Sequence, residues 1–166
     1  MIVPNVGQQF VIDQAVDWYY NSGRQLFQYT GGPGSGKSFV LMEIIKRLDL
    51  DPFTEVAAMS FMGSASLVMR NKGLLSARTA HSWIYFPVLV DKKDKDGNTV
   101  YDKLLNVPVK VAIFKPIEFL PSTIKLIAID EAGSMPMKLK ADIEKFGIKI
   151  IACGDPDQLP PVGDVP

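Results

Sequence analysis

An α/β chain, with a mostly parallel sheet flanked by helices, is what this sequence predicts, and three observations predict it. Apolar runs of strand length recur at residues 26–30, 55–60, 124–129 and 148–153. Stretches with helical spacing lie between them, the alternation expected of a parallel sheet covered on both faces. A glycine-rich loop, Gly31 to Ser38, joins the first apolar run to a helical one. At 166 residues the chain is long enough for one domain with a proper core, and 47% hydrophobic with 22% charged residues is ordinary globular composition.

Each element has its own warrant. Residues 8–20 carry Phe10, Val11, Ala15, Val16, Trp18 and Tyr19 at helical spacing, and Asn21-Ser22-Gly23 stops them. Residues 26–30 form a short buried strand, the glycine loop follows, and residues 39–48 form a helix. Asp51-Pro52 breaks the chain before the strand at 55–60. Residues 63–72 read as a helix ended by Gly73, and 79–85 as a short helix. The run at 124–129 ends in Asp130-Glu131; a helix at 137–146 is stopped by Gly147, and 148–153 is the last buried strand.

Residues 86–120 break this rhythm. Val88 to Val90, the turn-rich Asp94 to Asn98, and Thr99 to Tyr101 read as a surface β-hairpin closed at Asp96-Gly97. Pro87, Pro108, Pro116 and Pro121 keep the segment out of a central sheet. The expected organisation is therefore residues 1–85 and 118–166 as one α/β unit, with 86–117 inserted as the hairpin. Asp94-Lys-Asp-Gly97 shares its opening with a calcium loop but lacks the closing glutamate, so a plain turn is expected.

The loop Gly31-Gly32-Pro33-Gly34-Ser35-Gly36-Lys37-Ser38 fits Gly-x-x-x-x-Gly-Lys-[Ser/Thr]. Gly32 to Gly36 would turn backbone N–H groups toward a phosphate, aided by the positive end of the next helix. Lys37 would reach the outer phosphates, and the Ser38 hydroxyl would hold Mg²⁺. Asp130-Glu131, at the carboxyl end of an apolar run, stands where open α/β sheets bind ligands. Asp130 suits the metal and Glu131 suits accepting a proton from water; a solvated helix cap is the blander alternative. Gln158, in Gly154 to Pro161, could touch a γ-phosphate or orient water, with Asp155 supporting the metal, or the segment could be a proline-stiffened turn.

Charge and cysteine content bound the rest. A formal net charge of +0 shows no gross pull toward nucleic acid or membrane. The single cysteine, Cys153, fits a reducing, cytoplasmic setting, and neither a signal peptide nor a membrane-spanning stretch is expected.

Taken in order, Gln9, Gly31 to Ser38, Thr79-Ala-His81, Asp130-Glu-Ala-Gly-Ser134 and Gly154-Asp-Pro-Asp-Gln-Leu-Pro-Pro-Val162 resemble the motifs of superfamily 1 DNA helicases. The branch they are most similar to is the RecD/Dda-like, 5′-to-3′ one. The resemblance implies a RecA-like P-loop NTPase fold using ATP and Mg²⁺, with Gln9 reading the adenine and Gln8 and Gln14 as rivals for that role. It implies single-stranded DNA contacts at Ser60, Gly63, Ser64, Thr79 and His81. Met62-Gly63-Ser64 stands where the family usually has Thr-Gly-Lys, and the missing lysine puts one phosphate contact to DNA in doubt. His81 is equally readable as a helix-start packing residue. The inserted hairpin matches, in position, the pin that splits the duplex in Dda-like helicases.

The resemblance covers the first half of such a motor. The second RecA-like domain and its arginine finger would be the missing partner, so this chain alone is expected to bind ATP weakly, hydrolyse it very slowly and not unwind DNA. The competing reading is a truncated phage or plasmid P-loop protein that binds nucleotide or a partner without translocating. A nucleotide kinase fits poorly: the only arginines are Arg24, Arg47, Arg70 and Arg78, too few for an arginine-rich lid.

Overall fold

Strand length, β-branching and burial place a five-stranded sheet at the centre of the computed structural model, which describes residues 3–155. In chain order the elements are α1 (Val6–Asn21), β1 (Leu26–Thr30), α2 (Lys37–Arg47), β2 (Val56–Ser60), α3 (Gly63–Asn71), β3 (Arg78–Thr79), α4 (Ala80–Ile84), β4 (Tyr85–Asp91), β5 (Lys110–Pro116), β6 (Leu126–Ile129), α5 (Met137–Glu144) and β7 (Lys149–Gly154). The sheet runs β1-β7-β6-β2-β3, and every pairing in it is parallel. A wholly parallel sheet needs cover on both faces. β2 and β6 accordingly are buried at every position, Val-Ala-Ala-Met-Ser and Leu-Ile-Ala-Ile.

Two apolar layers supply that cover. On one face, Ile12 and Trp18 of α1 pack with Leu41, Ile44 and Ile45 of α2. The stripe Val40, Leu41, Ile44, Ile45 recurs at one-turn spacing, so one side of α2 is buried and Lys46 and Arg47 complement the negative end of the helix. On the other face, Trp83 and Ile84 of α4 meet Leu139 and Ile143 of α5. The Trp83 indole N–H also donates to the Ala58 carbonyl at 2.9 Å. Because all strands run the same way, the ends of β1, β7, β6 and β2 line up at one edge. There the Gly31 N–H donates to the Gly154 carbonyl at 3.2 Å, and the Asp130 N–H to the Met59 carbonyl at 3.0 Å.

The hairpin differs from expectation in its partner. β4 pairs antiparallel with β5 through seven register pairs, Tyr85↔Pro116 to Asp91↔Lys110, and not with residues 99–101. The turn at 94–98 forms as expected, with Asp94 Oδ1 accepting from the N–H groups of Asp96 and Asn98 at 2.9 Å each. A second turn overrides the simple hairpin. Asp102 Oδ1 accepts from Leu104 N–H and Leu105 N–H, and Asn106 adopts a left-handed φ of 50°. The chain thereby doubles back, and residues 99–101 join the end of the ribbon through the bridges Lys93↔Thr99 and Tyr101↔Pro108 and through Val100, whose N–H donates to the Lys92 carbonyl and whose carbonyl accepts from Val109 N–H, at 2.9 Å each. Pro87 and Pro116 do lie in strands, tolerated because a two-stranded ribbon leaves each strand an unpaired outer side.

No helix among the described residues is long and apolar enough to cross a membrane.

Candidate functional site

The glycine loop lies between β1 and α2, and its backbone explains its composition. Gly36 caps α2 in the left-handed region at φ 84°, and a Cβ there would stand 2.7 Å from Gln8 Nε2. At Gly31 a Cβ would come within 2.4 Å of Ser35 Oγ. Larger residues at either place would push the loop open. Lys37 Nζ lies across the loop mouth, donating to the carbonyls of Gly31 at 2.7 Å and Gly32 at 3.1 Å. The Tyr29 hydroxyl donates to the Lys37 carbonyl at 2.8 Å and so ties the start of α2 to β1.

The carboxylate partner comes from β6. Asp130 is buried at 8% exposure, and its Oδ2 accepts from Ser38 Oγ at 3.4 Å. Its Oδ1 accepts from Glu131 N–H at 3.0 Å and from Cys153 Sγ at 3.1 Å. Glu131 is exposed and held at φ 54°, ψ 43°, a left-handed conformation that costs a non-glycine residue about 1 kcal/mol. Ser134 Oγ, donating to the Glu131 carbonyl at 2.8 Å, holds that turn.

Burial first, and then the nearby Asp130 charge, pushes the Cys153 thiol far above its ordinary range, so it stands as a neutral S–H. Burial likewise raises the Tyr29 hydroxyl well above its usual value, with Cys153 and Asp130 adding to the effect.

These groups enclose a cleft of about 400 Å³ lined by Pro33 to Ser38, Ala65, Val68, Lys72, Asp130 and Glu131. It is large enough for a polyphosphate tail. Among the described residues no group of three or more His, Cys, Asp or Glu is placed to hold a metal ion. The pair Ser38 and Asp130 instead suits Mg²⁺, which takes one or two protein oxygens and completes its shell with phosphates and water.

The residues singled out from sequence do not all meet at this cleft. Gly32 to Ser38, Asp130 and Glu131 converge on this cleft. Gln158 lies outside the described residues. Gln9 does not reach the loop: its amide donates to Asp13 at 2.6 Å and accepts from Arg47 at 3.1 Å. Gln8 is the glutamine at the loop. As the third residue of α1 it folds back to accept from Asn5 N–H at 3.0 Å, and its Nε2 donates to the Ser35 carbonyl at 3.0 Å. One helical step, about 100° of rotation, separates the two side chains.

The expected DNA-contacting residues line the β2–α4 end of the same edge. Ser60 is a correction: it is fully buried, its hydroxyl bonded to Ser66 Oγ at 2.7 Å and to the Met62 carbonyl at 2.8 Å, and it faces no groove. Gly63 and Ser64 are exposed at the start of α3. Thr79 caps α4, its Oγ1 accepting from Ser82 N–H at 3.3 Å. His81 is exposed and lies in a ring column, 5.9 Å from Phe61 and 5.6 Å from Tyr85.

Lys72 was not picked out from sequence. It follows α3, and its Nζ donates to Ser38 Oγ at 3.2 Å, adding a second ammonium to the cleft. No local pattern in the sequence marks it; the placement of α3 beside the loop brings it there.

Comparison with known proteins places this geometry. Residues 13–164 match the family described as AAA domain, and the chain belongs to that family. The ATP-dependent DNA helicase Pif1 of Bdellovibrio bacteriovorus is 32% identical over 145 residues, covering 85% of this chain and 30% of the relative. An uncharacterized protein of Acanthamoeba polyphaga mimivirus is 24% identical over 180 residues, covering 97% of this chain and 34% of that protein. The chain thus spans about a third of the length of the curated relatives it matches. The resemblance to the N-terminal RecA-like domain of superfamily 1 helicases rests on the family match and the Pif1 similarity. Among solved structures, the ATPase domain of a Thermus phage large terminase aligns with TM-score 0.44 at 12% identity, over 92% of this chain and 65% of that one.

Proposed function

We propose that this AAA-domain chain is the ATP- and Mg²⁺-binding half of a DNA helicase motor. The single observation that carries the reading is the meeting of Ser38 Oγ with Asp130 Oδ2 at 3.4 Å, from a glycine loop and a strand end 92 residues apart. Together they present two oxygens to one small cation, with Lys37 and Lys72 supplying positive charge beside it.

The roles follow from position. The loop N–H groups and Lys37 bind and orient the phosphates. Ser38 and Asp130 hold Mg²⁺, which would neutralise charge on the outer phosphates. Glu131, exposed beside Asp130, accepts the proton of the attacking water. Gln8, clamping the loop through Ser35, takes the adenine-side role that the resemblance gives to a glutamine near Gln9. No arginine lines the cleft among the described residues. The hydrolytic site therefore needs a cation from a second RecA-like domain, worth a factor of about 10³–10⁵ in rate.

Gly63, Ser64 and His81 would bear on single-stranded DNA, with ring stacking at Phe61, His81 and Tyr85 favouring unpaired bases. The hairpin would serve as the strand-separating pin.

A titration of the 166-residue chain with a fluorescent ATP analogue tests this, with Mg²⁺ and then with EDTA. Saturable binding that tightens with Mg²⁺, together with negligible steady-state hydrolysis, is expected. Absence of saturable binding, or robust DNA-stimulated turnover by this chain alone, overturns the reading.

A further inference from the structure

β1, β7 and β6 end side by side beneath the loop, and Tyr29, Cys153 and Asp130 near those ends form a buried row. Tyr29 and Cys153 are register partners across β1 and β7. Ile129 and Ala152 are register partners across β6 and β7, which sets Asp130 beside Cys153. Cys153 is fully buried, and its Sγ donates to Asp130 Oδ1 at 3.1 Å.

The two oxygens of Asp130 are treated differently. Oδ1 carries two fixed donors, the Cys153 S–H and the Glu131 backbone N–H. Oδ2 carries neither and faces Ser38. A carboxylate turns freely about its last bond unless something holds it, because that torsion is broad. The backbone donor belongs to the next residue in the chain and is retained whatever side chain stands at 153. The thiol comes from a different strand and fixes the carboxylate plane relative to the sheet.

Building on the nucleotide reading above, we infer that Cys153 is a positioning residue for Asp130: its S–H saturates Oδ1, so that Oδ2 alone is offered to the metal of a bound nucleotide. A single, aimed oxygen suits Mg²⁺, which demands near-octahedral geometry and accepts few protein ligands. The thiol touches neither metal nor phosphate, so removing it should weaken metal use and leave the loop's own grip on phosphate untouched.

The test compares wild type, Cys153→Ser, Cys153→Ala and Cys153→Val in the full chain. Each is titrated with a fluorescent ATP analogue in EDTA and across a Mg²⁺ series, with circular dichroism to confirm the fold. Serine keeps a donor; alanine and valine remove it from smaller and larger sides, so that either one folding is sufficient. The donor-free variants should raise the Mg²⁺ midpoint about threefold to tenfold, the size of one lost hydrogen bond. Their EDTA affinity should stay at the wild-type value, and serine should stay within about twofold of wild type. Equal midpoints for serine, alanine, valine and wild type would overturn the inference, as would EDTA affinity falling in step with Mg²⁺ affinity. If wild type binds no nucleotide at all, the nucleotide reading fails and takes this inference with it. Wild-type binding with variants that keep the wild-type Mg²⁺ midpoint sinks the inference alone.

Discussion

The nucleotide cleft and the hairpin are built on opposite plans. The cleft stands on the ends of four parallel strands, of which β2 and β6 are buried at every position and β7 at all but its first, and its polar groups bond one another. The hairpin is a two-stranded ribbon with large apolar side chains in the open: Leu89 is 69% exposed, Phe114 70% and Leu104 94%. Pro87 and Leu89 share one face with Phe114, while Phe86 and Val88 share the other with Ile113, so both faces are apolar. A ribbon of this kind adds little stability by itself. Chemistry that needs sub-ångström placement sits on the rigid part; the ribbon is free to serve as a contact surface. Its stability and its function should therefore separate cleanly from those of the cleft.

The largest effect expected is on the cleft side. Lys37→Ala should weaken binding of a fluorescent ATP analogue by about 10- to 100-fold, the loss of a charged hydrogen-bonding group. Circular dichroism should stay native, because the ammonium bonds only to Gly31 and Gly32. Unchanged affinity would remove the loop from the site.

A smaller effect is expected from the hairpin. Replacing residues 92–109 by Asn-Gly joins Asp91 to Lys110 through a two-residue turn. Calorimetry should show the melting temperature moving by no more than about 4 °C. Nucleotide affinity should be unchanged. A large drop in either would show that the hairpin supports the cleft, and the contrast between the two regions would collapse.

The smallest effect lies where the regions join. The Tyr85 hydroxyl, at the base of β4, donates to Asp142 Oδ2 on α5 at 2.7 Å. Hydrogen bonds from Lys145, and then from Tyr85, hold the Asp142 carboxyl below its ordinary 3.8. A lowered carboxylate contributes stability above its unfolded value, lost as pH falls through the folded one. Tyr85→Phe should therefore lower the melting temperature by about 2 °C or less at neutral pH. Thermal scans of the two proteins should converge as pH drops below 3.8. A difference that grows in acid would reverse the assignment.

How far the sequence carried depended on whether a feature was local. The loop, α2 and Asp130-Glu131 were legible because glycine geometry and strand length are written in a few adjacent residues. Ser60 was misjudged because five consecutive buried residues on β2 leave its hydroxyl no outward face. Spacing alone does not separate Gln9 from its rival Gln8, because the start of α1 sets which side faces the loop. That start is marked by Asn5 and Gln8 acting as a capping box, two residues ahead of the apolar pattern. The partner of β4 was hidden because the turn at 94–98 is a sound hairpin signal, while the second turn at Asp102 redirects the chain afterwards. Lys72 and Cys153 reach the site only through strand order and helix placement, neither of which any local pattern encodes.

Ser38 and Asp130, meeting at 3.4 Å, are proposed to act on one metal ion. A double-mutant cycle in the Mg²⁺ dependence of ATP-analogue binding tests it most directly, using Ser38→Ala, Asp130→Asn and the double variant. Two ligands of one ion should be strongly non-additive: the double variant should lose little more than the worse single one, a coupling of about 1 kcal/mol or more. Strict additivity, with each change raising the Mg²⁺ midpoint independently, would contradict a shared metal site.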